Sequence, residues 1–173
     1  MTALNTRDSA VIQCAGGELR FDGEDRVSLT GIHGHRRTVV SPELALSLWV
    51  ELWCGDTFIY FVGEKGRSVW YADVTVPVLR KTTELERLDF GGGYDPGGLH
   101  RVEFNKLGDD DLLLLYELGL ARLTASGETL WQRVHDQLPA RLDRVADGVI
   151  WLLGEYEPFG FAVSDGRPVV PES

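Results

Sequence analysis

The sequence predicts an all-β protein built from antiparallel meanders, packed in two layers or stacked as successive units. Three observations carry that reading. The stretch Gly108–Trp131 runs from Gly-Asp-Asp-Asp into Leu112–Leu115, then Leu120–Leu123, then Ser-Gly-Glu and Leu130-Trp131, which is three short strands joined by two tight turns. Apolar runs of that length recur along the chain between Gly, Asp, Asn and Ser positions, and glycine is frequent, at 20 of 173 residues. Asp147-Gly148 stands between Leu142–Val145 and Val149–Leu153, a dipeptide that favours a two-residue hairpin turn.

In chain order, residues 1–10 are polar and expected to fray, and a single all-β domain is expected over 11–170. Val11–Cys14, Glu18–Phe21 and Arg26–Thr30 are short strands separated by Ala-Gly-Gly and Asp-Gly-Glu-Asp turns. Gly31–Arg37 is a basic loop, and Thr38–Val40 is β-branched and extended. Residues 41–53 carry two opposed signals. Ser41-Pro42-Glu43 has the form of a helix start. Leu44, Leu46, Leu48, Val50 and Leu52 fall on every second position and so share one face of a strand. The alternation favours a strand. Thr57–Val62 and Ser68–Val76 complete a second meander, and Pro77 ends pairing or sits on an edge. Leu79–Phe90 is charged and weakly periodic, Phe90–His100 is a glycine-rich loop, and Arg101–Phe104 leads into the central meander. After Trp131 a connection runs to Pro139, and short strands follow at 142–145, 149–153, 161–163 and 169–170.

Three strand endings align: Gly66-Arg-Ser-Val-Trp70, Gly127-Glu-Thr-Leu-Trp131 and Gly166-Arg-Pro-Val-Val170, the last without its Trp. Each follows an acidic turn, at Asp56, Asp111 and Asp147, and the last two units agree best. This pattern resembles the blades of quinoprotein-type (PQQ-like) β-propellers, in which a glycine turn and a Trp close each blade and the Trp docks between neighbours. The resemblance covers about half the chain, is structural only, and brings no cofactor or calcium ligands with it. It implies an incomplete or degenerate propeller-like stack, with a two-layer β-sandwich as the alternative.

Composition narrows the function. Seventeen basic against 27 acidic residues give a formal net charge of −10, which repels phosphate backbones and argues against nucleic acid as a partner. The same charge favours encounter with basic partners. No apolar stretch matches a membrane span or a secretory signal, so no membrane association and a cytoplasmic location are expected. Cys14 and Cys54 are accordingly expected as free thiols, and no Cys/His cluster has zinc spacing. No nucleophile–base set stands out, and no cofactor or metal is expected. Phe90–His100 is the most unusual loop: its glycines let backbone amides approach a ligand, with Tyr94, Asp95 and His100 as hydrogen-bonding groups. Trp49 and Trp53, on the face opposite the alternating leucines, are candidate aromatic contacts. The expectation is a non-enzymatic cytoplasmic interaction protein that binds another protein or a second copy of itself, with an immunity- or antitoxin-like role as one concrete form. A carbohydrate- or small-molecule-binding β module is the alternative.

Overall fold

In the computed structural model, the described residues are 2–5, 10–14, 16–22, 25–41, 44, 49–63, 68–86, 102–108, 111–116, 118–137, 140–155 and 157–170. Seventeen strands run in chain order: β1 (Thr2–Asn5), β2 (Ala10–Cys14), β3 (Gly17–Phe21), β4 (Arg26–Thr30), β5 (Arg36–Val40), β6 (Trp49–Cys54), β7 (Phe58–Gly63), β8 (Ser68–Asp73), β9 (Val78–Glu84), β10 (Val102–Leu107), β11 (Asp111–Tyr116), β12 (Gly119–Thr124), β13 (Thr129–Val134), β14 (Arg141–Ala146), β15 (Val149–Leu153), β16 (Pro158–Ala162) and β17 (Pro168–Val169). They form four antiparallel sheets in the orders β2-β3-β4-β5, β1-β6-β7-β8-β9, β10-β11-β12-β13 and β14-β15-β16-β17. The all-β meander expectation therefore holds. Each sheet is an up-and-down unit of the kind from which propeller blades are made.

By its contacts the chain forms two compact units; among the described residues the first runs to Leu85 and the second from Glu86 onward. In the first unit, Leu19, Phe21, Val27 and Leu29 of sheet β2–β5 share one core with Leu52, Ile59, Phe61, Trp70 and Ala72 of the five-stranded sheet. The backbone joins the two sheets as well, since Ile32 N–H donates to the Val74 carbonyl at 2.9 Å. Gly17 allows this approach, because a Cβ there would lie 2.6 Å from Val74 Cβ. In the second unit, Leu113, Leu115, Leu120 and Trp131 of sheet β10–β13 pack with Ile150, Leu152 and Phe161 of sheet β14–β17.

Four sequence expectations need correction. Residues 2–5, expected to fray, form β1 and pair with β6 in the register Thr2↔Leu52 to Asn5↔Trp49. The backbone hydrogen bonds of an edge outweigh the polarity of the segment. Of the strand expected over 41–53, β6 covers Trp49 onward and buries Leu52, whereas Leu44 lies in a 3₁₀ turn whose N–H donates to the Ser41 carbonyl at 2.9 Å; 42–43 and 45–48 lie outside the described residues. Ser68–Val76 is not one strand: β8 stops at Asp73, whose Oδ1 accepts Thr75 N–H (2.8 Å), Thr75 Oγ1–H (2.7 Å) and Val76 N–H (3.3 Å) and so caps a turn into β9. The ambiguous segment after Pro77 is thereby the fourth strand of its meander. The Gly66–Trp70 ending consequently lies on the strand before the last of its sheet, whereas Gly127–Trp131 and Gly166–Val170 lead into the last strands, β13 and β17.

Candidate functional site

The aromatic residues sort into core and surface. Tyr60 and Tyr116 are fully buried, and Trp70 and Trp131 nearly so. Trp70 stacks on Phe61 with ring centroids 6.2 Å apart. Trp131 is the inter-sheet tryptophan that the strand endings foreshadow: its indole N–H donates to the Val163 carbonyl at 2.9 Å, and its ring lies over Gly166. Arg122 donates to the same carbonyl at 2.9 Å and also pairs with Asp111. Arg133 holds the carbonyls of Asp165 (2.8 Å) and Gly166 (3.1 Å). Sheet β10–β13 thus grips the turn between β16 and β17 with three side chains.

Of the ligand candidates, Tyr94, Asp95 and His100 lie outside the described residues, as does the side chain of Trp49. Trp53 is half-buried on β6 and pairs in register with Tyr60, which pairs with Tyr71. It therefore extends an aromatic ladder whose other members are packed. Phe58 lies edge-on to Tyr60, and Arg80 lies over the Tyr71 ring at 5.7 Å. Burial, then the neighbouring Asp73 carboxylate, pushes the Tyr71 hydroxyl up to about 12. Both cysteines are thiols; Cys14 is buried and its Sγ–H donates to the Gly55 carbonyl at 3.2 Å, while Cys54 is exposed.

Trp151 behaves differently. Register places Val149, Trp151 and Leu153 of β15 on one face with Ala146 and Arg144 of β14 and with Ala162, Gly160 and Pro158 of β16. The opposite face, carrying Ile150, Leu152 and Phe161, is buried in the core of the unit. On the outer face Leu153 is 43 % exposed and Trp151 is partly open. The indole lies across Gly160, where a Cβ would meet Trp151 Cε3 at 2.9 Å, and Arg144 covers it at 5.7 Å. The result is a patch of Val149, Trp151 and Leu153 with the aromatic at its centre and arginines, Arg141 and Arg144, along its β14 side.

The outer face of sheet β2–β5 is the control. There Gln13 Nε2 donates to Glu18 at 3.0 Å, Arg20 lies 3.5 Å from Glu18, Ser28 and Thr38 hydroxyls meet at 3.0 Å, and Arg36 donates to Ser28 at 3.3 Å. A sheet with a polar outer face is suited to water; on the face around Trp151 the polar pairing among the described residues is that of Arg144 with Asp143.

The sequence singles out Trp49 and Trp53 rather than Trp151. A stronger signal was available. An Asp-Gly hairpin with positive φ at both turn residues, 52° at Asp147 and 74° at Gly148, pairs Ala146 with Val149 and sets Arg144 opposite Trp151. Among the described residues no group of three or more His, Cys, Asp or Glu is placed to hold a metal ion, and no helix is long and apolar enough to cross a membrane.

No protein-family model matches the sequence, and no curated protein is significantly similar to it. Among solved structures, the chain is similar to "Dihydro-heme d1 dehydrogenase NirN in complex with DHE", with a TM-score of 0.48 and 10 % identity over 94 % of this chain. The chain spans 36 % of that structure's length. A likeness at this level carries no functional argument.

Proposed function

We propose that this protein is a non-enzymatic interaction module that docks another macromolecule through the outer face of sheet β14–β17. The observation that carries the reading is the contrast between that apolar face, with Trp151 at its centre, and the hydrogen-bonded polar face of sheet β2–β5. Aromatic anchors at the centre of an apolar patch dominate interface energies. Docking by the face is favoured over docking by a sheet edge, because the edges here are blunted. β14 carries Arg141, Asp143 and Arg144 and a bulge between Leu142 and Arg144, and β17 is two residues long and begins with Pro168. The net charge of −10 acts at longer range and speeds encounter with a basic partner, as an immunity- or antitoxin-like protein would require.

Capture from host lysate at low and moderate salt, with wild-type protein and the Trp151→Ser variant side by side, tests the proposal. A partner retained by the wild type and lost by the variant is expected. Equal capture by both, or no partner at either salt, removes the support.

A further inference from the structure

A groove of about 430 Å³ lies in the second unit, between the segment after β13 and strands β16 and β17. We propose that it binds a small organic cation, an ammonium or guanidinium carried on an apolar body. Its volume falls in the range of small-ligand pockets, roughly 300–1,000 Å³. Its lining is mixed: Phe159, Pro168 and Val170 with the edge of the buried Phe161 form the apolar part, and the polar side chains are those of Gln137 and Glu157. Phe159 and Phe161 meet edge to face with centroids 5.9 Å apart, which fixes both ring planes.

Among the described residues Glu157 is the charged side chain that lines the groove, and no lysine or arginine does. Arg167, beside Pro168, is engaged by Asp165 Oδ2 at 2.5 Å and points its charge there. Gln137 donates to Asp136 Oδ1 at 3.4 Å, so a second carboxylate stands next to the polar rim. Behind the wall, His135 packs edge-on against Phe159 at 5.3 Å and is 7 % exposed. Burial favours its neutral form, so it adds no opposing positive charge. An aromatic wall with a carboxylate at its mouth is the arrangement that takes an amphiphilic cation: the rings attract the positive group through their faces, and the carboxylate accepts its hydrogen bonds. A neutral ligand gains only the wall, and an anion meets Glu157.

Amide NMR titration with phenylpropylamine, phenylpropanol and phenylpropanoate tests this with matched bodies and three charge states. The amine is expected to shift amides of residues 157–170 and 137 with a Kd on the order of 1 mM, a value in keeping with so small a probe. The alcohol should bind at least about fivefold more weakly, and the acid not measurably. Glu157 is exposed, so Glu157→Gln should fold normally and weaken the amine about three- to tenfold. Val40→Ser, at an exposed position of the first unit, should leave the titration unchanged. Equal binding of amine and alcohol, shifts confined to other residues, no shift up to about 20 mM, or indifference to Glu157→Gln would each overturn the proposal. The docking face is tested separately, by partner capture with the Trp151→Ser variant.

Discussion

Gly166 offers the sharpest test of how the two sheets of the second unit are joined. Its φ is +69°, and a Cβ added there would lie 2.8 Å from Trp131 Cε3 and 3.0 Å from Arg133 Cγ. Gly148, in the same sheet, has φ +74° and nothing within 4 Å. An alanine at either position bears the cost of a left-handed backbone, about 1 kcal/mol. At Gly166 it also meets a ring that cannot retreat without losing its hydrogen bond to the Val163 carbonyl. That bond contributes about 1 kcal/mol, and overpacking adds about 1–3 kcal/mol. Gly166→Ala should therefore destabilise by about 3–5 kcal/mol and Gly148→Ala by about 1 kcal/mol. Urea unfolding monitored by tryptophan fluorescence reads both. Trp131→Leu, which makes room for the new methyl, should recover part of the Gly166→Ala loss in a double-mutant cycle, with a coupling above about 1 kcal/mol. If the two alanine variants cost the same within about 0.5 kcal/mol, the close seating of Trp131 on this turn is wrong.

Further outcomes follow from other contacts. Asp73→Ala removes the acceptor of two backbone N–H groups and two hydroxyls, those of Thr75 and Tyr71, and should cost about 1–2 kcal/mol in urea unfolding. Burial raises the Asp73 pKa, but hydrogen bonds from Thr75, Val76 and Tyr71 outweigh it and hold the carboxyl below its ordinary 3.8. The stability it contributes is complete above about pH 3.8 and is lost as pH falls through the lower folded value, so the Ala variant should lose less than wild type on acidification. His135 works in the pH range above this: burial holds its pKa below the ordinary 6.5, so the unfolded chain takes up the proton first. Its contribution is complete above about pH 6.5 and declines as pH falls below that, and His135→Phe should flatten the urea midpoint between about pH 7 and 5. Gly119→Ala would put a Cβ 2.3 Å from the Arg133 carbonyl, against backbone that cannot yield, and should cost about 2 kcal/mol or more in the same assay.

Strands whose signals were local were legible in the sequence. Leu112–Leu115 and Leu120–Leu123 pair as read, because a short apolar run between turn residues has few other ways to bury itself. Asp147-Gly148 gave its hairpin because few other dipeptides accept positive φ at both positions. β9 was missed because its pattern, Val-Leu-Arg-Lys-Thr-Thr-Glu, belongs to an exposed edge strand, and because the Asp73 cap that ends β8 shows only when hydrogen bonds are seen. β1 was missed because nothing in Thr-Ala-Leu-Asn marks it as a strand; its pairing is decided by β6, more than forty residues away. The site was less legible still. A Trp in an apolar run reads the same whether its ring enters the core, as at Trp131, or lies on the surface, as at Trp151, and the groove is assembled from segments twenty and more residues apart.

The placement of β1 has a consequence for synthesis. β1 belongs beside Trp49–Cys54, yet all of sheet β2–β5 is translated between the two. During that interval the leading segment has no native mate, and at high concentration the nearest compatible one is the β6 of a neighbouring molecule. Exchange of this short arm between chains, with everything after it folded normally, is the misassembly that such a path invites, and a bulky tag fused ahead of Thr2 would bear on this step more than one fused after β17.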